Sequence, residues 1–98
     1  MSLPVLLRQE ASEDVEEARD YYEAQKPNLG QAFLDRLNEL LARIGAMPEM
    51  YGFAWRDVRA ALLRRFAHVV YYRVHADRVE VLAVVHGSRN APGWRSRA

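Results

Sequence analysis

The 98-residue chain contains no cysteine, so a disulfide framework, thiolate-ligated zinc and thiol catalysis are all excluded. It has one lysine, Lys26, and its remaining permanent cations are arginines. No apolar run is long enough to cross a bilayer. The opening segment Met1–Arg8 is too short and lacks the basic leader of a secretory signal. There is no internal repeat and no low-complexity tract. The three histidines, His68, His75 and His86, fit no metal-ligand motif, and no cofactor or metal is expected. What remains is an ordinary composition, 50% apolar and 28% charged. It fits one small cytoplasmic domain spanning residues 1–98, with a thin core.

The net charge of +1 conceals an uneven distribution. Residues 1–50 hold ten Asp/Glu against five Lys/Arg, a net of −5. Residues 51–98 hold three Asp/Glu against nine Arg, a net of +6. The basic half suits an anionic partner or its own acidic half.

The spacing of apolar residues sets the elements. Pro4–Arg8 reads as a short edge strand. Ala11, Val15, Ala18 and Tyr22 recur at four, three and four residues, which predicts a helix over 10–25 with Ser12 or a residue just before it as cap. Lys26-Pro27-Asn28 breaks it, with Asn28 as the next N-cap. Phe33, Leu34, Leu37, Leu40, Leu41 and Ile44 predict a second amphipathic helix over 29–46. The short link makes the two an antiparallel hairpin. Residues 48–57 read as a turn-rich connection in which Trp55 plugs the helix hairpin. Strands are predicted at 58–63, 68–75 and 78–86. The predicted class is α+β, in the order β-α-α-β-β-β, with the helical hairpin on one face of a small antiparallel sheet.

A two-residue loop at Ala76-Asp77 pairs His75 with Arg78, Arg73 with Glu80 and Tyr71 with Leu82. One face then carries Val70, Tyr72, Val74, Val79, Val81, Ala83 and Val85, and is expected to lie on the helices. The other carries Val69, Tyr71, Arg73, His75, Arg78, Glu80, Leu82, Val84 and His86, and is where a partner or substrate is expected. His68 reads as a structural core residue, His75 as a solvated turn residue, and Arg73 as the ion-pair partner of Glu80.

The stretch Leu63-x-Arg65-Phe66, Val70-Tyr71-Tyr72-Arg73-Val74 and Val79-x-Val81-Leu82-Ala83-Val84-Val85-His86-Gly87-Ser88-Arg89, with Trp94 and Arg97 following, resembles the RelE/ParE toxin superfamily. So do Ala11-x-x-Asp14, Tyr21-Tyr22-Glu23 and Gly30-x-x-Phe33 in the first half. The resemblance implies the toxin of a type II toxin–antitoxin system, which arrests growth when free and is neutralised by a cognate antitoxin. RelE-like members cleave mRNA on the ribosome, and ParE-like members act on DNA gyrase. For a nuclease, the resemblance points to His86 as base with Arg59, Arg65 and Arg89 as phosphate partners. The lysines of that branch are missing from the 58–63 strand, and no Tyr follows His86. The ParE-like branch is therefore favoured, with His86, Arg89, Trp94, Arg95 and Arg97 as a gyrase-binding patch and no reaction required. Tyr21, Tyr22, Leu37, Arg65 and Tyr71 are the residues expected to meet the antitoxin. A non-toxic binding module of the same fold is the remaining alternative.

Overall fold

The computed structural model describes residues 2–87 and 92–98. Among them, β1 (Val5–Leu7), α1 (Gln9–Gln25), α2 (Leu29–Ala46), β2 (Phe53–Trp55), β3 (Val58–Leu63), β4 (His68–Val74) and β5 (Val79–His86) follow in chain order. A 3₁₀ turn, Arg64–Phe66, joins β3 to β4, and a second spans Pro92–Arg97. The strands form one five-stranded sheet in the order β1-β5-β4-β3-β2. The β2 to β5 meander is antiparallel, whereas β1 runs parallel to β5, so the sheet is mixed. The connection from β1 to β2, at the opposite edge of the sheet, carries both helices across one face, as the periodicities predict.

The helix-facing core holds Ala11 and Ala18 of α1, Phe33, Leu37, Leu40 and Ile44 of α2, and Val70, Tyr72, Val79, Val81 and Val84 of the sheet. Alanines at the α1 contact positions let that helix lie close to β5. The helices also meet closely: a Cβ on Gly30 would stand 2.7 Å from the Arg19 carbonyl oxygen. Asn28 is indeed the residue before α2, at φ 72°, but its side chain makes no cap. The Glu23 carboxylate does so instead, accepting from the N–H groups of Asn28 at 2.9 Å and Gly30 at 3.0 Å. Likewise Arg8, rather than Ser12, precedes α1.

Tyr72 is buried and donates to the Pro48 carbonyl at 2.7 Å, tying β4 to the end of the helical layer. Burial pushes its hydroxyl from 10.0 up to about 12. The fold thus favours the neutral phenol. This stabilisation is complete below pH 10 and is lost as pH rises through 12. Tyr72→Phe is therefore expected to be less stable than the parent at neutral pH by about 1 kcal/mol. The gap should close between pH 10 and 12 in denaturant titrations, and a pH-independent gap would contradict this assignment.

Candidate functional site

The surface that the helices leave open is organised by one extra residue in β5. Near the turn the register is as expected, with Val74 opposite Val79 and Arg73 opposite Glu80. It then shifts: Tyr72 pairs with Val81, but Tyr71 pairs with Ala83. Leu82 is the additional residue of a β-bulge. Because side chains alternate with period two, everything beyond the bulge changes face. Leu82 and Ala83 pack together on the open side with Tyr71 and Trp94, and Val84 turns to the helices. Val85 joins the open side and His86 moves to the helix side. The expected placements of Ala83, Val84, Val85 and His86 are thereby reversed.

The bulge leaves backbone groups pointing past the end of β1, whose pairing stops with the Arg8 N–H on the Val81 carbonyl. Two side chains from distant parts of the chain take these groups up. Asp14 Oδ2 accepts from the Val84 N–H at 3.0 Å, and Arg97 Nη1 donates to the Leu82 carbonyl at 3.1 Å. Asp14 and Arg97 also bind each other at 2.7 Å, and this hydrogen bond raises Arg97 above its ordinary value. Arg8 in turn donates to the Arg97 carbonyl. Asp14→Ala removes a partly buried charge partner and leaves the Val84 N–H unpaired. The expected loss is about 2–3 kcal/mol, and a double-mutant cycle with Arg97→Gln should show coupling above 1 kcal/mol. Additive losses would mean the clamp does not exist in solution.

With Arg97 so fixed, the Pro92–Arg97 turn lies across the open face. Trp94 is buried and stacks on Tyr71, with ring centroids 4.0 Å apart and planes at 14°. Trp55 meets Trp94 edge-on at 6.0 Å and 88°. Trp55 is thus a plug on the sheet's far side and not over the helix hairpin. Two guanidinium groups then converge on Trp55: Arg56 at 4.4 Å and Arg95 at 5.3 Å from the ring centroid. Arg56 has φ 52°, a left-handed conformation at the β2–β3 turn. Beside them Arg73 binds Asp57 at 2.9 Å and reaches Glu80 only at 3.9 Å. The closer partner of Glu80 is His75 at 2.8 Å, so His75 is engaged and not simply solvated.

The expected residues separate into several places. His86 faces α1, with its ring 5.3 Å from that of His68. It lines a groove of about 540 Å³ with Asp14, Glu17, Tyr21 and Tyr22. His68 is buried, as expected, with Nδ1 2.9 Å from the Phe66 carbonyl. Arg59 stands opposite Tyr72, over the Phe53 ring at 3.9 Å, and donates to the Tyr51 carbonyl at 2.6 Å. Four residues of β3 and two strand spacings separate it from His86, about 13 Å along and about 10 Å across the sheet. Arg65 is exposed on the 3₁₀ turn, over Phe66 at 5.2 Å. Arg89 lies outside the described residues. Tyr21 is 54% exposed, and Tyr22 is half-buried and donates to the Phe66 carbonyl at 2.9 Å. Leu37 and Tyr71 are buried and present no surface to a partner. Among the described residues no cluster of His, Asp and Glu could hold a metal ion, and no helix is long and apolar enough to cross a membrane.

Arg56 and Asp14 were not legible as site residues. Arg56 sits in a stretch that reads as a turn, and Asp14 is one of many acids on α1. The Ala11-x-x-Asp14 spacing, which places Asp14 one turn from a wholly buried alanine, was the available signal.

Comparison with known proteins bears on this arrangement. A family model described as the ParE toxin of the type II toxin–antitoxin system, parDE, matches residues 5–91. Among solved structures, one described as the chromosomal ParDE TA system from P. aeruginosa superposes with a TM-score of 0.77 at 15% identity. The match covers 87% of this chain and 96% of that one. Comparison with curated protein sequences gives no match.

Proposed function

Since the chain belongs to the ParE toxin family of type II toxin–antitoxin systems, we propose that it inhibits DNA gyrase by direct contact and is neutralised by a cognate antitoxin. The observation that carries the gyrase reading is the Trp55 surface, where Arg56 and Arg95 converge on a ring braced from below by Trp94 and Tyr71. Arginine and aromatic side chains held rigidly at the centre of a patch are the usual anchors of protein recognition. They need no reacting group. The separation of Arg59 from His86 supports contact over cleavage, because one scissile phosphate cannot touch both.

On this reading Arg95 contacts the target, Trp94 supports it from beneath, and Arg97 holds the segment in place. His86 lies on the other face, so gyrase affinity should not depend on it. The site of action is the cytoplasm, where the enzyme works on the chromosome. Binding measurements with purified gyrase and purified ribosomes test the proposal. Saturable binding to gyrase alone is expected. Binding to ribosomes, with cleavage of a translated reporter mRNA that His86→Ala abolishes, would replace it with the nuclease reading.

A further inference from the structure

The positive charge of the chain is neutralised unevenly. Arg8, Arg19, Arg73, Arg78 and Arg97 each have a carboxylate partner. Arg36 and Arg43 of α2 and Arg64 and Arg65 of the 3₁₀ turn after β3 differ. All four are exposed, and among the described residues they take part in no ion pair. They meet around one groove of about 670 Å³ between α2 and the end of β3. Its lining includes a single carboxylate, Glu39, so four guanidinium groups against one carboxylate leave a net of +3. Arg36 and Arg43 are seven residues apart on α2 and lie about 10 Å from one another along the helix axis. Arg64 and Arg65 stand on the wall across from them.

The chemistry of the groove narrows its occupant. Each strand of a DNA duplex advances about 3.4 Å per phosphate, so the α2 pair spans about three phosphates. Guanidinium groups match phosphate oxygens two N–H groups at a time. A flexible single strand would need a stacking platform as well. The aromatic ring of the groove, Tyr51, is instead half-buried against the core. The same burial denies a protein partner an exposed aromatic anchor. The acidic face of α1 in another copy offers counter-charge, but such a head-to-tail contact does not close into a dimer.

We propose that this groove holds the phosphate backbone of duplex DNA, with Arg36 and Arg43 on one side of a strand and Arg64 and Arg65 on the other. The contacts are to phosphates and not to base edges, so binding is independent of sequence and strongly salt-dependent. The Trp55 surface lies on the open face of the sheet and α2 on the other, so DNA and a protein target can be held at once. The assignment goes beyond the gyrase reading and does not rest on it.

Fluorescence anisotropy of a labelled duplex of about 20 base pairs, titrated with purified toxin at several salt concentrations, tests it. Micromolar binding is expected at low salt, with log K falling against log salt at a slope of about −3.6, four phosphates at about 0.9 each. Arg36→Glu/Arg43→Glu should weaken binding by about 30-fold and flatten the slope to about −2. Its melting temperature should stay within a few degrees of the parent, since both positions are exposed. Arg64→Gln/Arg65→Gln, on the other wall, should weaken binding by about 10-fold. The matching single strand should bind about 10-fold more weakly than the duplex. No binding by folded parent protein at low salt, a single strand bound as tightly as the duplex, or double variants that bind duplex normally would each overturn the inference. If the double variants instead lost affinity for gyrase or antitoxin, or a self-association of the parent, with duplex affinity intact, the groove would belong to a protein and the inference would fall. The assay contains no gyrase, so its failure leaves the gyrase reading standing.

Discussion

Trp94→Ala is expected to be the most destabilising single change on the open face, lowering stability by about 3–5 kcal/mol. The indole is only 5% exposed although it lies four residues from the end of the sequence given. It fills the space between Tyr71 and Trp55, and its removal also uncovers Leu82 and Ala83, which pack in the same cluster. A domain of this size has about 5–15 kcal/mol in total. The melting temperature should therefore fall by about 15–30 °C. Trp94→Phe keeps a ring against Tyr71 and should recover more than half of the loss. A near-zero effect in thermal and urea denaturation would show that residues 92–97 are an independent tail and not the second layer of the sheet.

The second large effect concerns recognition. Trp55→Ala and Arg95→Glu should each weaken gyrase binding by about 30-fold, corresponding to about 2 kcal/mol. Arg95 is exposed, so its reversal should leave the melting temperature within a few degrees of the parent. Arg56→Glu should act in the same direction, because its guanidinium lies over the same ring. The combined Trp55→Ala/Arg95→Glu variant should lose less than the sum, since both residues act through one braced ring. A folded Arg95→Glu protein with full gyrase affinity would move the contact surface elsewhere.

Much of the fold was legible because it depends on periodicity. The α2 stripe from Phe33 to Ile44 and the alternation through Val79 and Val81 each specify one buried face. The helix boundaries followed from Pro27 and from the Gly45–Pro48 break. The β-bulge was not legible, because Val81-Leu82-Ala83-Val84 carries no glycine, proline or polar residue to mark it. What holds it is tertiary: Asp14 and Arg97, separated by 83 positions, meet only after α1 and the C-terminal turn have docked. That one-residue shift reversed the face of His86. The short β2 strand was hidden for a related reason. Phe53-Ala-Trp55 reads as part of a turn, and its strand form depends on pairing with β3.

The candidate site was legible in composition but not in placement. Trp94, Arg95 and Arg97 do lie together in one turn, yet one is buried, one exposed and one clamped to Asp14. A run of arginines looks alike in sequence whether its charge is free or already paired. Trp55 was assigned to the wrong face because the connection preceding β3 has no periodicity from which a face can be derived.

On the proposed function, this protein acts on gyrase through a contact surface on its open sheet face. Titration of purified toxin into a gyrase supercoiling reaction tests it most directly, with Arg95→Glu as the matched variant. Inhibition by the parent protein near stoichiometry is expected, with the curve displaced by about 30-fold for the variant. Full supercoiling at a large excess of correctly folded parent toxin would contradict it.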